Sequence, residues 1–184
     1  MRVKIILFFT LILFSSPTPL FCKEGAGEVD SSFKYKAVSI LDGDTFTATD
    51  GNVTFKVRIA AMDAPEKGQP YSKMATFRLK QILASANVII KPVGKGGDRY
   101  GRVLGAVFVG QEDVALTMIQ EGLATYYRPL CRDYPADGNK YNYDPAIYVK
   151  AEKEAKDLQK NMWSLPGTEL PCQNRHGGIR GREK

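Results

Sequence analysis

Residues 34–60 read KYKAVSILDGDTFTATDGNVTFKVRIA, and this stretch predicts three consecutive β-strands. KYKAVSIL is the first, and the runs DTFTAT and VTFKVRIA flank Asp50-Gly51, a dipeptide typical of a β-hairpin turn. In the third strand every second residue is apolar: Val53, Phe55, Val57 and Ile59. Because side chains alternate between the two faces of a strand, we expect Arg58 to project away from this core-facing set.

The next segments carry the patterns of a helix and two more strands. YSKMATFRLKQILASA has helical periodicity, and Met74 falls on the same apolar face as Leu79 and Leu83. NVIIKPV and RVLGAVFV are rich in β-branched residues, which indicates a fourth and a fifth strand.

Two helices are predicted after the fifth strand. Asp113 is placed to cap the first of them, and Gly122 to end it. Asp144-Pro145 opens the second, which we expect to end near Trp163 and Pro166, with Trp163 in the core. The order β-β-β-α-β-β-α-α lacks the βαβ alternation of a Rossmann sheet. The sequence therefore predicts an α+β fold dominated by a five-stranded barrel, with three packed helices.

The amino-acid composition limits the kinds of catalytic and metal site that the chain could form. The 184 residues include 26 Lys and Arg against 20 Asp and Glu, and one histidine, His176, in a polar C-terminal stretch. One histidine cannot build a multi-histidine zinc site, and a Ser-His-Asp triad would have to draw on that tail. An enzyme of this composition would use carboxylates, Arg, Lys, Tyr or a metal. The net charge of +6 favours an acidic partner.

Residues 1–22 have the layout of a secretory signal peptide: a basic start, an apolar run over Ile5–Phe14, and then Ser, Pro and Thr. The alternative is a buried N-terminal helix. A lipid anchor at Cys22 is disfavoured because the bulky Phe21 precedes it. Loss of this leader lowers the net charge from +6 to +4, and we expect the mature protein to be secreted or periplasmic.

Three further segments complete the predicted organisation. Residues 23–32 form a linker, residues 33–166 the folded domain, and residues 167–184 a polar, basic tail. Without Cys22 the mature chain keeps Cys131 and Cys172. These two form a possible disulfide in an oxidising compartment, and two unpaired buried thiols are the alternative.

Charged side chains cluster at the predicted ends of strands. They lie in DGDT (42–45), in DAPE (63–66), in DRYGR (98–102) and at Arg58. Each motif alone is a common turn or loop, but together they supply what metal-assisted phosphodiester cleavage requires.

Each of these groups suits a step of that reaction. Carboxylates of Asp44 and Asp63 could hold Ca²⁺, or with less preference Mg²⁺. Arg58 and Arg102 match phosphate oxygens, and Glu66 could orient or deprotonate a water molecule.

In this order the motifs, with the closing NMWS, resemble the staphylococcal nuclease (thermonuclease) family from about Tyr35 to Trp163. The resemblance implies an OB-fold barrel and Ca²⁺-dependent cleavage of DNA and RNA to 3′-phosphate ends. It implies calcium ligands at Asp44, Asp63 and the main-chain carbonyl of Ala64, where the founding member has Thr. Its catalytic positions match Arg58, Glu66 and Arg102, and Arg99 with Tyr100 resembles the part that contacts a terminal phosphate. The loop after Glu66 is shorter than in the founding member.

The tyrosine-rich segment 125–143 mixes aromatic and cationic residues, as surfaces for single-stranded nucleic acid do. We expect Tyr126 and Tyr127 to contact substrate, although packing against the barrel is the alternative. The leading hypothesis is a monomeric nuclease without a stable protein partner. Its rivals are a catalytically inactive OB-fold that only binds nucleic acid, and a lipid-anchored interaction domain of the envelope.

Overall fold

Three segments of the chain are described by the computed structural model: residues 34–84, 87–128 and 144–175. Eight strands lie within them: β1 (Lys36–Ile40), β2 (Thr45–Thr49), β3 (Thr54–Ile59), β4 (Met62–Asp63), β5 (Val88–Gly97), β6 (Val103–Val109), β7 (Glu112–Asp113) and β8 (Thr125–Tyr126). The helices are α1 (Ser72–Leu83), α2 (Val114–Gln120), α3 (Pro145–Asp157) and α4 (Pro171–Arg175), with a 3₁₀ helix at Asn161–Ser164. No helix in these segments is long and apolar enough to cross a bilayer.

The five long strands form one mixed sheet in the order β1-β2-β3-β6-β5, which β7 extends beside β6. The predicted hairpin between β2 and β3 is confirmed, and the side chain of Asp50 accepts hydrogen bonds from two main-chain amides of its turn. In this register Arg58 lies opposite Thr45 of β2 and beside Leu104 of β6. Asp44 and Arg102, each one residue before its strand, are therefore brought to the same end of the sheet as Arg58.

The α+β class is confirmed, and the sheet is more open than a closed barrel. Its two edges meet at an isolated bridge in which Tyr35 and Val88 exchange main-chain hydrogen bonds of 2.9 and 2.8 Å. Within the described residues no further ladder joins β1 to β5.

The core lies between this sheet and helices α1 to α3. Its largest fully buried apolar side chains are Phe46, Ile59, Met62, Leu79, Leu83, Met118, Ile119 and Met162. Helix α1 buries Ala75, Leu79 and Leu83, but Met74, predicted on that face, is 48% exposed. The predicted cap of α2 is confirmed, because the carboxylate of Asp113 accepts a hydrogen bond from the amide of Leu116 at 3.1 Å.

The C-terminal part differs from its prediction. Helix α3 ends at Asp157, and Gln159, with a positive φ angle, lies between it and the 3₁₀ helix, whose first residue Asn161 also has a positive φ. Trp163 lies in that short helix and is only half-buried, so the prediction that it belongs to the core is wrong.

The stretch 167–184, predicted to be a polar tail, begins with structure. Helix α4 lies within it and buries Pro171 and Cys172. Cys172 is disulfide-bonded. Cys131 and Cys22 lie outside the described residues, as do His176, the predicted leader 1–22 and the linker 23–32.

Candidate active site

A cleft of about 860 Å³ opens at the end of the sheet where Asp44, Arg58 and Arg102 meet. Most of the residues predicted for the site line this cleft: Asp44, Arg58, Ala64, Glu66, Arg99, Tyr100, Arg102 and Tyr127. Asp63 and Tyr126 are the predicted site residues that do not line it. The sheet register therefore gathers most of the charged groups that the sequence places at separate strand ends.

Arg58 is buried between two carboxylates. Its Nη2 lies 3.1 Å from Asp44 Oδ2 and 2.9 Å from Asp63 Oδ1. Its Nη1 donates to the main-chain oxygens of Ile59 and Met62 at 2.9 and 3.0 Å. Arg58 does leave the face that Val57 shares with Ile59, as expected, but it enters a buried polar cluster in which the paired charges offset the cost of desolvation.

The DGDT turn is held close to the DAPE segment through the carboxylate of Asp44. The amide of Ala64 donates to Asp44 Oδ2 at 3.1 Å, and Thr45 Oγ1 donates to Asp44 Oδ1 at 2.9 Å. A Cβ atom on Gly43 would lie 2.6 Å from the Cβ of Ala64 and 2.9 Å from that of Ala75. Only glycine therefore allows the turn to approach this closely.

Asp42, a residue without a predicted role, lines the same cleft. Part of the residue is exposed, but its carboxyl group is partly desolvated against the cleft wall. This desolvation and the negative charge of Asp44 raise the pKa of Asp42 to about 6. The sequence feature that could have identified Asp42 as a site residue is its position two residues before Asp44 in the DGDT turn.

The DRYGR turn orients Arg102 through a second residue without a predicted role, Asp98. Asp98 Oδ1 accepts the amides of Tyr100 and Arg102 at 2.9 and 3.0 Å, and Oδ2 accepts Nε of Arg102 at 2.8 Å. Gly101 has a φ of 71°, which closes the turn. Burial raises the pKa of Asp98, but the hydrogen bonds from Arg102 and Tyr100 outweigh it and leave that pKa below its usual range.

Tyr100 extends from this turn into the cleft as an exposed aromatic ring with cations around it. The guanidinium carbons of Arg99 and Arg102 lie 4.8 and 5.2 Å from its ring centroid. This arrangement offers an aromatic face beside two groups that can bind phosphate.

Glu66 is held by its own short loop. Its amide donates to Gln69 Oε1 at 2.7 Å, and the amide of Gln69 donates back to the Glu66 oxygen at 2.9 Å. Gln69 Nε2 in turn donates to the main-chain oxygen of Glu169 at 3.2 Å. These contacts therefore hold the short loop at both Glu66 and Gln69.

The two adjacent tyrosines have different environments. Tyr127 lines the cleft, and the guanidinium of Arg58 lies 5.9 Å from its ring centroid. Tyr126 is 5% exposed and stacks on Tyr148 with centroids 6.1 Å apart, so the structure places it in the core and not with the substrate-facing residues. Neighbouring residues of an extended segment point in opposite directions, and this rule would have separated them.

A buried ion pair between Arg128 and Glu152 stabilises the segment that contains Tyr126 and Tyr127. Arg128 lines the cleft, and its Nη1 and Nη2 atoms donate to the two carboxylate oxygens of Glu152 at 2.9 and 2.6 Å. Glu152 also accepts the amide of Tyr126 at 3.2 Å and the ammonium group of Lys156 at 3.1 Å.

The oxygen atoms around Arg58 are suitable ligands for a hard divalent cation. The carboxylates of Asp44 and Asp63 converge on one guanidinium nitrogen, so they already face a common cationic group. Among the described residues no three Asp, Glu, His or Cys side chains group as a metal site, so a cation would rely on these two carboxylates with main-chain and water oxygens. Oxygen ligands of this kind suit Ca²⁺ or Mg²⁺.

Comparison with known proteins identifies the family to which the chain is similar. The family model described as "Staphylococcal nuclease homologue" matches residues 56–165. An uncharacterized endonuclease of Haemophilus influenzae is 34% identical over 130 residues, which cover 70% of this chain but 65% of that protein, slightly less than two thirds. A micrococcal nuclease of Shigella flexneri is 35% identical over 77% of this chain and 79% of its own length. A thermonuclease of Staphylococcus hyicus is 33% identical over 71% and 75% respectively.

Proposed function

The chain belongs to the family of staphylococcal nuclease homologues, and we propose that it is a Ca²⁺-dependent nuclease that hydrolyses DNA and RNA with little sequence selectivity. The observation that carries this proposal is the cleft lined by Asp44, Arg58, Glu66 and Arg102, in which Arg58 also pairs with the buried carboxylate of Asp63.

The arginines act on the charge of the phosphate. Arg102, oriented by Asp98, pairs with phosphate oxygens, and its fixed fork suits the charge that grows on them in the transition state. Arg58 pairs with the carboxylates before substrate binds. Its transfer to the phosphate would free the oxygens of Asp44 and Asp63, the groups that would hold a cation.

Glu66 orients a water molecule, or removes its proton, for attack on phosphorus. The bond to the 5′ oxygen breaks, that oxygen takes up a proton, and a 3′-phosphate end remains. The carboxylates of Asp44 and Asp63 would hold Ca²⁺, which would supply a Lewis acid to polarise a phosphate oxygen.

Single-stranded substrate is favoured by the aromatic groups of the cleft. Tyr100 and Tyr127 are the rings that unpaired bases can stack on, with Arg99 and Arg128 close to the backbone phosphates. A duplex keeps its bases stacked on one another and could not use these rings in the same way.

A rival function is nucleic-acid binding without catalysis. It is favoured by the three hydrogen bonds and the ion pair with Asp44 that already occupy both Nη atoms of Arg58. The full set of Glu66, Arg102 and the carboxylate pair favours the nuclease, because a binding module needs no group to activate water.

The discriminating experiment incubates the purified protein with single- and double-stranded DNA and with RNA, in Ca²⁺, in Mg²⁺ or in chelator. We expect cleavage in Ca²⁺ that leaves 3′-phosphates and proceeds faster on single strands. A circular single strand distinguishes internal from terminal cleavage. Binding without cleavage of any substrate would establish the rival function.

We also propose that the protein is exported, which is supported by the leader-like residues 1–22 and by the disulfide at Cys172, because disulfides persist in oxidising compartments. The exported protein is proposed to be a monomer. Intact mass of the protein recovered outside the cytoplasm tests leader removal and any lipid on Cys22. Non-reducing peptide mapping tests pairing of Cys172 with Cys131, and sedimentation tests the monomer.

A further inference from the structure

The candidate active site continues into two neighbouring clefts. The first, of about 820 Å³, shares Asp42 and Pro65 with the active-site cleft and runs past Lys67 to the start of α1. The second, of about 730 Å³, lies between β1 and α1 and shares Lys73 with the first. Together these two clefts, named here the α1 groove, lead from the reacting centre along helix α1.

One stripe of α1 lines the far part of the α1 groove. Lys73, Phe77 and Lys80 are spaced four and three residues apart, so they share one face of the helix and span about 10 Å along it. Phe77 is 60% exposed, and Val38 on the opposite wall is 56% exposed. A large aromatic side chain between two cations is therefore presented to solvent.

The charge of the α1 groove is almost entirely positive. Its lysines are Lys67, Lys73 and Lys80, and its one acidic residue, Asp42, lies at the junction with the active-site cleft. In the described segments none of these lysines forms an ion pair. Arg78, which does not line the groove, is by contrast paired with Glu121 at 2.7 Å.

We propose that the α1 groove binds the single-stranded polynucleotide that flanks the scissile phosphate, with the lysines on phosphates and Phe77 stacked on a base. Continuity with the active-site cleft supports this, since a strand whose phosphate lies between Arg58 and Arg102 can extend directly into the groove. The inference rests on the proposed nuclease function and deepens it. Proteins with this type of fold commonly cover about 4–16 nucleotides, more than the active-site cleft alone would hold.

The aromatic group distinguishes a single strand from other anions. Phosphate or duplex binding needs only the lysines, whereas an exposed Phe77 gains from an unpaired base that covers it. Phosphate contacts and stacking also respond differently to salt, which makes the two contributions measurable.

The test uses the full protein and a fluorescent single strand of about 20 nucleotides, in chelator so that nothing is cleaved. We expect Lys73→Ala/Lys80→Ala to weaken binding at least tenfold and to reduce the slope of log Kd against log salt by about 1.4, since each phosphate contact on a single strand contributes about 0.7. Phe77→Ala should weaken binding about fivefold or more without changing that slope.

The matched control is Lys150→Ala/Lys153→Ala, which removes the same charge from the exposed surface of α3. Salt slope and Kd equal to those of the control would overturn the inference. So would unchanged DNA binding together with lost binding to phosphatidylglycerol vesicles, which would assign the α1 groove to an anionic lipid surface.

A cleavage assay tests the α1 groove separately from the proposed nuclease function on which it rests. In Ca²⁺, the Lys73→Ala/Lys80→Ala variant should lose at least tenfold more kcat/KM on the long strand than on a dinucleotide, which reaches only the active-site cleft. A wild-type protein that cleaves neither substrate refutes the nuclease proposal, whereas equal losses on both substrates refute the α1 groove alone.

Discussion

Arg58 closes Asp63 off from the cleft: its Nη2 lies 2.9 Å from Asp63 Oδ1, and the Asp63 side chain is 1% exposed. The guanidinium therefore neutralises a carboxylate that has no contact with solvent. A cation that bound Asp63 would compete with Arg58, so the proposed metal binding would be coupled to the position of Arg58.

The first prediction concerns Arg58→Gln. Removal of the guanidinium leaves buried carboxylates without their cation, which costs about 3–5 kcal/mol. We expect this loss in the free energy of unfolding when chelator is present, and a larger stabilisation by Ca²⁺ than in wild type, since the ion no longer displaces an arginine. Denaturant unfolding with and without Ca²⁺ measures both.

Arg78→Gln is the control for this change, because it breaks the ion pair with Glu121 away from the cleft. It should leave the Ca²⁺-induced stabilisation as in wild type. An equal effect of Ca²⁺ on Arg58→Gln and wild type would contradict the competition.

The second prediction separates Arg102 from the residue that orients it. Arg102→Ala should lower kcat by about 10²–10³, the range found when a group that stabilises transition-state charge is removed. Asp98→Asn keeps an oxygen for the main-chain amides but loses the charged pair with Arg102, so we expect a smaller loss, with the fold intact by circular dichroism. A larger loss in Asp98→Asn than in Arg102→Ala would show that the turn, not the arginine, matters.

The charged groups of the site could be predicted because they stand at strand ends, and strand register then determines what they meet. Asp44, Arg58 and Arg102 come together for this reason. The partners that hold them could not be predicted in the same way. Asp98 and Gln69 act through side-chain hydrogen bonds within short loops. Loops have no periodic pattern of residues from which such contacts could be predicted.

The fold, like the site, could be predicted from the sequence only in part. Alternation and the Asp50-Gly51 turn predicted the hairpin, but whether the sheet closes depends on how Tyr35 approaches Val88, a contact between distant parts of the chain. Met74 has the right period for the core and is exposed, because α1 packs through Ala75, Leu79 and Leu83.

The third prediction contrasts Tyr126 with Tyr127. Tyr127→Ala should raise KM for single strands by at least about fivefold through lost stacking, with little change in stability. Tyr126→Ala should lower the free energy of unfolding by about 3–5 kcal/mol because it leaves a cavity beside Tyr148. Steady-state kinetics and denaturant unfolding on both variants decide the assignment, which the reverse pattern would refute.

The fourth prediction addresses how Glu66 is held. Glu66→Gln should lose most activity while folding is retained, because an amide cannot take a proton from water. Gln69→Ala releases the loop and should lower kcat about tenfold with KM nearly unchanged. Gln69→Glu keeps an acceptor for the Glu66 amide and should recover part of that loss. Recovery equal to wild type would mean that the contact with Glu169 has no role.

The last prediction follows from the buried carboxylate of Glu152. Burial raises its pKa, but the hydrogen bonds and charges of Arg128 and Lys156 outweigh burial and hold that pKa below its ordinary value of 4.5. Glu152 therefore binds fewer protons in the folded than in the unfolded protein. Its contribution to stability is complete above about pH 4.5 and is lost as the pH falls through the lower folded pKa. Glu152→Gln should cost about 3 kcal/mol at neutral pH, and the difference from wild type should shrink below pH 4.5. Asp157→Asn, which breaks only the exposed pair with Lys153, should change stability by less than about 1 kcal/mol at every pH. A difference between Glu152→Gln and wild type that is undiminished at pH about 3 would show that the carboxylate's charge is not what stabilises the segment that contains Arg128.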